Sequence, residues 1–120
     1  MHSIERIDYP AHNYTEFVCG ASHMIATLIE GDRQRPWLLI DDLEVRPVHR
    51  RRQGIGTALV SESIPLAQEL DVIRILAVIV SRESLVVMTK VFGPDAVRVD
   101  DVGDFGLAQG NTSALLDYAF

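Results

Sequence analysis

The feature that most constrains this chain is the order of segments between residues 37 and 59. An apolar run at 37–40 leads into three acids and then into Val45-Arg46-Pro47. Proline has no backbone N–H to donate to a sheet ladder, so it ends a strand here. A basic loop follows, and residues 54–56, Gly-Ile-Gly, open a segment with apolar residues at helical spacing. The order predicts a strand, a loop and a helix in immediate succession.

The loop and the helix start have the composition of an anion-binding site. The first turn of a helix presents backbone N–H groups without carbonyl partners, at the positive end of the helix dipole. Gly54 and Gly56 leave room for a phosphate to approach these groups. The arginines at 51–52 add charge, and Thr57 adds a hydroxyl. Two common phosphate loops are excluded, because Leu59 replaces the third glycine of the dinucleotide fingerprint and no Gly-Lys-Ser/Thr is present.

The charge balance argues against a nucleic-acid-binding surface. The chain has 11 Lys and Arg against 17 Asp and Glu, a formal net charge of −6, whereas nucleic-acid-binding domains are usually basic. Four of the basic residues, Arg46 and the three at 50–52, nevertheless fall within seven positions. From charge alone, this cluster of basic residues is either an anion site or a solvated arginine-rich turn.

Length and hydropathy predict one domain over residues 1–120. Apolar residues make up 48% of the chain, enough for a core without a disulfide or metal staple. Cys19 is the single cysteine, which excludes an intramolecular disulfide and a cysteine zinc cage. His2, His12 and His23 lack metal-ligand spacing, so we expect no metal. No signal peptide and no apolar window of about 18 residues is present, so we expect no membrane span and a cytoplasmic protein.

The remaining pattern predicts a mixed α/β sandwich with a sheet core. Residues 17–29 are β-prone with a break at 19–20, and 37–45 form the next strand. The helix after residue 54 should kink or end early at Pro65. An almost continuous apolar run at 72–80 is typical of a strand covered on both faces. A helix at 81–91 capped by Ser81, a strand at 96–102 and a last apolar segment at 115–120 complete the order.

Residues 39–59 resemble the central signature of the GNAT superfamily, the GCN5-related N-acetyltransferases. That signature is an acidic strand ending in Val-x-Pro, followed by Arg/Gln-x-x-Gly-x-Gly/Ala at a helix start. Here the strand ends in Val45-Arg46-Pro47, and residues 51–56 read Arg-Arg-Gln-Gly-Ile-Gly. A weaker resemblance extends through Phe92. The resemblance implies a mixed, mostly antiparallel twisted sheet with two main helices packed on it.

The same resemblance implies an acetyl-CoA-dependent N-acetyltransferase acting on a primary amine by direct attack, without a metal. Backbone N–H groups at 52–57 would hold the pyrophosphate, and the strand edge at 43–45 would pair with the pantetheine arm. A main-chain N–H near Val45 would polarise the thioester carbonyl. The expected cofactor-binding residues are Leu43, Glu44, Val45, Arg51, Arg52, Gln53, Gly54, Ile55, Gly56, Thr57 and Ser81.

Three acids on the same strand could serve the acceptor amine: Asp41, Asp42 and Glu44. A free lysine has a pKa of about 10.4, so the amine must lose a proton before it attacks. A carboxylate can take that proton directly or through water. Alternation along a strand puts Asp42 and Glu44 on one face and Asp41 on the other. We favour Asp41 or Asp42 as the base or cation-binding group, against the alternative that all three are solvated strand charges.

Departures from the family pattern keep a second function open. Ser81 and Met88 stand where the family has an Asn and a Tyr that protonates the leaving thiolate, and Tyr118 could replace that acid if the tail folds back. The short amino-terminal part leaves out the helical pair that covers the acceptor site, and an open site suits a large acceptor such as a protein. The alternative is a non-catalytic GNAT-like module that binds CoA or a protein partner. The acceptor stays open between a protein amine and a small amine, and strand edges could pair two copies as a homodimer.

Overall fold

The computed structural model describes residues 3–31, 35–46, 54–99 and 111–120. The strands are β1 (Glu5–Tyr9), β2 (Tyr14–Cys19), β3 (Ser22–Glu30), β4 (Pro36–Glu44), β5 (Arg74–Ser81), β6 (Val97–Val99) and β7 (Asn111–Ala119). The helices are α1 (Ile55–Ser61), α2 (Ser63–Glu69) and α3 (Arg82–Phe92). The strands form one seven-stranded sheet in the order β1-β2-β3-β4-β5-β7-β6, in which the β4–β5 pair is parallel and the others are antiparallel. The predicted mixed, mostly antiparallel sheet is confirmed.

The first four strands form a meander joined by short turns where the structure describes them. A single 3-10 turn, Pro10–His12, connects β1 to β2 and is followed by Asn13 in the left-handed region (φ 60°). Gly20 (φ 61°) closes the turn from β2 to β3, a conformation that glycine adopts without steric cost. The connection from β1 to β2 is therefore too short to hold a helical pair.

The helices cover one face of the sheet. α1 packs on β2, β3 and β4, α3 packs on β5, β6 and β7, and α1 and α3 contact each other. Alternate residues of each strand point toward this helical layer and form the core with the inner faces of the helices. Its large, fully buried apolar side chains are Met24, Leu38, Leu59, Val60, Leu66, Ile75, Ile79 and Leu116.

The helical segment after Gly54 is broken between α1 and α2. The break falls at Glu62, three residues before Pro65. Proline has no N–H to donate to the carbonyl of Ser61, and its ring collides with that carbonyl in a continuous helix. The Ser63 hydroxyl donates to the Val60 carbonyl at 2.6 Å, which satisfies one carbonyl at the break. The predicted effect of Pro65 is confirmed, and α1 with α2 forms one of the two main helical segments.

The opposite face of the sheet is open over the described residues. The prediction that the strand at 72–80 is covered on both faces is wrong, since Val78 is 65% exposed and Val80 is 66% exposed. Val78 pairs with Leu115 of β7, which is also exposed. The apolar run has another cause: β-branched residues suit a pleated strand on either face.

Candidate functional site

β4 and β5 start as a parallel pair and then separate. Residues 38–40 of β4 pair with residues 75–77 of β5. Beyond this point β4 continues along β3 as far as Glu44, while β5 continues along β7 as far as Ser81. A cleft therefore opens between the carboxyl ends of the two strands.

One extra residue in β4 marks the closed end of this cleft. The successive β3 residues Ile25 and Ala26 pair with Asp42 and Ile40, so Asp41 is a bulge residue between them. A β-bulge bends its strand and increases the local twist. It also shifts the alternation by one position, which turns the side chain of Asp42 to the open face of the sheet.

The cleft widens into a groove between β4, the start of α1 and the first turns of α3. Its lining residues are Leu43, Glu44, Val45, Gly56, Ser81, Glu83, Ser84 and Val87. The groove has a volume of about 140 Å³, below the roughly 300–1,000 Å³ of drug-sized ligand sites, so it fits a narrow extended arm. A Cβ on Gly56 would lie 3.4 Å from Val87 Cγ2 and 3.5 Å from Val45 Cγ2. A side chain larger than alanine at position 56 would therefore fill the space between the groove walls.

The start of α1 closes the wide end of the groove. Gly54 has a φ of 80°, in the left-handed region that glycine tolerates. The Ala58 N–H donates to the Gly54 carbonyl at 2.9 Å. The amides of Ile55, Gly56 and Thr57 precede this bond in the first turn, where a helix has no carbonyl of its own to offer them. The side chain of Ile55 is buried in the core, so only its backbone can serve a ligand.

Ser81 caps α3 at the edge of the groove. Its Oγ accepts from the Ser84 N–H at 3.1 Å and its hydroxyl donates to Ser84 Oγ at 2.9 Å. The predicted N-cap is confirmed, and Ser81 also lines the groove. Sequence reasoning missed Glu83, Ser84 and Val87 as lining residues. The sequence pattern that could have identified Ser84 and Val87 is their helical spacing from Ser81, which puts the three residues on one face of the helix start.

A histidine and two carboxylates meet on the open face of the sheet beside the closed end of the cleft. His23 Nε2 lies 2.7 Å from Asp42 Oδ2, and His23 Nδ1 lies 3.8 Å from Glu16 Oε2. These residues come from the three neighbouring strands β2, β3 and β4. Glu44 of β4 lies directly opposite His23 of β3 and forms an ion pair with Arg46.

A comparison with protein families decides the assignment of the chain. The sequence model of the acetyltransferase (GNAT) family matches residues 9–93. The chain belongs to this family. The matched region includes β2, β3, β4, the groove and α3. Among curated proteins, none matches the chain.

Solved structures share the GNAT fold at low sequence identity. A Bacillus subtilis acetyltransferase in complex with CoA aligns with a TM-score of 0.68 and 14% identity, over 100% of this chain and 99% of the other. Nourseothricin acetyltransferase aligns with a TM-score of 0.64 and 16% identity, over 94% and 69%. The NatC complex bound to a Gag peptide and CoA aligns with a TM-score of 0.61 and 13% identity, over 89% and 70%.

The residues predicted for the GNAT cofactor site fall into three groups. Leu43, Glu44, Val45, Gly56 and Ser81 line the groove. Gly54, Ile55 and Thr57 lie at the start of α1. Arg51, Arg52 and Gln53 lie outside the described residues.

Neither Met88, which stands where the family has a tyrosine, nor Tyr118, the suggested replacement for that acid, lines the groove. Met88 is buried in the core, and the neighbouring Val87 lines the groove instead. Tyr118 pairs with Ile75 near the start of β5, while the groove lies at the other end of that strand, at Ser81. The Tyr118 ring packs on Phe92 at a centroid distance of 5.2 Å. The hypothesis that Tyr118 supplies the missing acid is therefore wrong.

Two further findings concern the described part of the chain. Its His, Cys, Asp and Glu side chains form no group of three that could hold a metal ion. None of the helices there is both long and apolar enough to cross a bilayer.

Proposed function

We propose that this chain transfers the acetyl group of acetyl-CoA to a primary amine by direct attack, as a single domain. The observation that carries the proposal is the groove between the diverging ends of β4 and β5, closed at its wide end by the first turn of α1. Membership of the GNAT family and neighbours that bind CoA support this choice of cosubstrate.

The groove offers a suitable partner for each part of acetyl-CoA. The pyrophosphate would meet the first-turn amides of α1 at residues 55–57, together with the loop at 51–53. The pantetheine arm would extend along residues 43–45 as an additional strand between the separated strands. The thioester would then lie toward the bulge at Asp41, at the inner end of the arm, where a main-chain N–H of β4 would stabilise the oxyanion.

Asp42 is the strand acid best positioned to act on the acceptor. Its side chain lies on the open face, contacts His23 and is 53% exposed. Glu44 is already engaged with Arg46 in an ion pair. Asp41 is exposed at the bulge itself. We propose that Asp42 acts on the acceptor amine as a base or a cation-binding group, and that Asp41 and Glu44 contribute less.

The sheet face beside the cleft has no covering element among the described residues, which supports a protein or peptide amine as the acceptor. A single short turn connects β1 to β2, so no helical pair from that connection stands over the open face. The NatC complex was solved with a peptide, whereas nourseothricin acetyltransferase is named for a small molecule. The open face favours the first kind of acceptor, because a large substrate can cover the site itself.

Calorimetric titration with acetyl-CoA tests the cosubstrate. We expect micromolar binding to the wild type and at least about a 30-fold loss in Gly56→Glu, because the new side chain fills the groove and adds negative charge. Ser61→Glu, on the exposed side of the same helix, adds the same charge outside the groove and should bind like the wild type. No binding to the wild type would contradict the proposal.

Thiol release then tests catalysis. The acceptors are a peptide with a free amino terminus, an amino-blocked peptide containing lysine, and spermidine. Stimulation by one of these amines supports acetyl transfer and identifies the acceptor class. Binding of acetyl-CoA without thiol release for any amine would contradict transfer to these acceptors.

A non-catalytic CoA-binding module is the second candidate. The burial of Met88 and the capping role of Ser81 favour it, because neither side chain can serve as an acid for the thiolate. A free thiol has a pKa of about 8.5, however, so the thiolate is a competent leaving group without a dedicated acid. Binding without turnover is the result that selects this candidate.

A further inference from the structure

An apolar patch lies on the open face of the sheet, beside the closed end of the cleft. Val78 and Val80 of β5 are 65% and 66% exposed, and Leu115 of β7 is 44% exposed. Val78 pairs directly with Leu115, so their side chains are neighbours on this face. Leu39 and Leu76, which are register partners on β4 and β5, alternate with buried core residues and therefore lie on the same face. These five residues, the apolar patch, span the neighbouring strands β4, β5 and β7.

The contiguity of the apolar patch distinguishes it from ordinary surface residues. Single exposed apolar side chains are normal on a protein surface, whereas a contiguous group often marks a binding surface. Val86 is an example of the first kind, since it is also 65% exposed but lies on α3, in the helical layer on the other side of the sheet. The apolar patch is an example of the second kind, and it offers a large apolar group a surface on which to leave water.

The apolar patch reaches the point where β4 and β5 separate. Ile40 and Ala77 are the last parallel partners, and the next residues along the two strands are Asp41 and Val78. Neighbouring strands of a sheet lie about 4.8 Å apart, so Val78 and the bulge at Asp41 flank the closed end of the cleft. The proposed thioester lies toward this bulge. Val78 is therefore within reach of a group attached to an amine that attacks the thioester from the open face.

The two sides of the cleft have different charges on the open face. Asp42 of β4 is 53% exposed and presents a carboxylate. On the far side of the apolar patch, β6 presents the exposed Arg98, which pairs with Leu115. The remaining acid near the patch, Asp117, forms an ion pair with Arg74 at 3.0 Å. A cationic amine is therefore favoured beside β4, an apolar group is favoured over β5 and β7, and a second cation is disfavoured beyond them.

We propose that the apolar patch determines acceptor specificity, and that the preferred acceptor is the amino terminus of a peptide that begins with a bulky apolar residue. The inference rests on the proposed function and adds the chemical class of the acceptor to it. The α-amine and the first side chain share one Cα, so an amine at the thioester beside Asp42 brings that side chain over Val78. The second residue lies only about 3.5 Å further along an extended chain, so it can reach Leu115.

The same arrangement disfavours the other two kinds of amine. Spermidine carries further cations, which would have to lie on apolar side chains or beside Arg98. A lysine amine ends a flexible four-carbon stem, which holds the neighbouring side chains of the peptide away from Val78. Only an amino terminus puts the charged nitrogen and a bulky apolar group close enough together to contact both sides of the cleft at once.

Two peptides that differ only in their first residue, leucine or asparagine, test this role of the apolar patch. The two side chains are similar in shape, but the amide of asparagine loses its hydrogen bonds to water on an apolar surface. From thiol release, we expect the wild type to have a higher kcat/KM for the leucine peptide. In the double variant Val78→Thr, Leu115→Thr, the ratio of the two kcat/KM values should fall about tenfold, because less apolar surface covers the leucine side chain. Differences in amine reactivity cancel when this ratio is compared between the two proteins.

Two further variants serve as controls. Val86→Thr changes an equally exposed valine on α3 and should leave both rates and their ratio as in the wild type. Asp42→Asn should lower both rates and leave the ratio unchanged, because Asp42 acts on the amine that both peptides share. Threonine suits a strand as valine does, and thermal unfolding and acetyl-CoA titration of each variant check that the fold and the groove are intact.

The outcomes distinguish this inference from the function on which it rests. A selective loss with the leucine peptide in the double variant supports the role of the apolar patch. An unchanged ratio, or an equal loss with both peptides, overturns that role while leaving acetyl transfer intact. Thiol release with the lysine peptide or spermidine, but with neither free amino terminus, also overturns that role alone. A wild type that releases no thiol with any of these amines overturns acetyl transfer to them and the role of the apolar patch together.

Discussion

The two faces of the sheet have opposite chemical characters, although the same strands build both. On the face covered by the helices, Met24, Ile79 and Leu116 are almost completely buried. On the open face, Val78 and Val80 are largely exposed, and His23 lies within hydrogen-bond distance of Asp42. Adjacent residues of one strand, such as Met24 and His23, therefore lie in entirely different environments, one apolar and buried, the other polar and partly exposed.

The difference shows how a small fold separates stability from chemistry. The covered face excludes water, so an unpaired polar group there is costly and apolar packing dominates. The open face has no packing partner among the described residues, so it can hold half-buried carboxylates and an imidazole. The predictions below change one face at a time.

The largest effect is expected from a cavity on the covered face. Ile79→Ala removes a side chain that is 1% exposed and should lower the free energy of unfolding by about 3 kcal/mol. Val80→Thr, one residue further on the open face, should change it by less than about 0.5 kcal/mol. Urea unfolding of both variants measures the difference. Equal losses would mean that the open face is covered in the folded protein.

A buried hydroxyl on the covered face should come next. Ser22 is fully buried, accepts from the Arg46 N–H at 2.8 Å and donates to the Arg46 carbonyl at 3.0 Å. Ser22→Ala leaves both backbone groups unsatisfied, so we expect a loss of about 2 kcal/mol in urea unfolding. The control is Ser61→Ala, whose hydroxyl bonds to the Thr57 carbonyl on the exposed side of α1 and should cost much less. A small loss in both would show that water replaces the Ser22 bonds.

Deleting Asp41 should remove the bulge from β4 without moving the neighbouring side chains to the other face of the sheet. Asp42 alone would then separate Ile40 from Leu43, so both apolar residues stay on the covered face. We expect the shortened chain to fold but to bind acetyl-CoA about tenfold more weakly, because a straighter β4 would narrow the cleft. Asp41→Ala keeps the extra residue and should bind more tightly than the deletion. Equal acetyl-CoA affinities of the deletion and of Asp41→Ala in calorimetry would show that the bulge does not set the width of the cleft.

The smallest effect is expected at the rim of the sheet. Hydrogen bonds from Arg6 and from Thr15 hold the pKa of the Asp8 carboxyl below its usual value of 3.8. A lowered pKa in the folded state stabilises the protein above the unfolded value and is lost as the pH falls through the folded value. Asp8→Asn should therefore be slightly less stable than the wild type at pH 7, and the difference should disappear at an acidic pH below the lowered pKa of Asp8. Urea unfolding at both pH values checks this, with Asp95→Asn as a control, and a constant gap would contradict it.

Local features of the structure could be predicted from the sequence. Pro65 broke its helix and Ser81 capped the next one, because each effect involves atoms only a few residues apart. The order of β4 followed by a helix that starts after Gly54 likewise follows from neighbouring residues.

Features that depend on register could not be predicted. Glu16, His23 and Asp42 meet only because β2, β3 and β4 align in one register and the bulge at Asp41 turns Asp42 outward. A one-residue slip in any strand would send its side chain to the other face. The exposure of Val78 depends in the same way on which face the helices cover, which a run of β-prone residues does not reveal.

The short parallel contact between residues 38–40 and 75–77 has a kinetic consequence. The β1–β4 meander forms through contacts close in sequence, which fold quickly, whereas β5 must pair with β4 and with β7 at sequence separations of 30 residues or more, so the parallel contact is among the slow ones. We expect it to form late, with the native junction largely absent from the transition state. A ligand that spans this junction would then slow unfolding and leave the folding rate nearly unchanged. Bound acetyl-CoA would therefore lengthen the lifetime of the folded sheet by slowing the separation of its two halves.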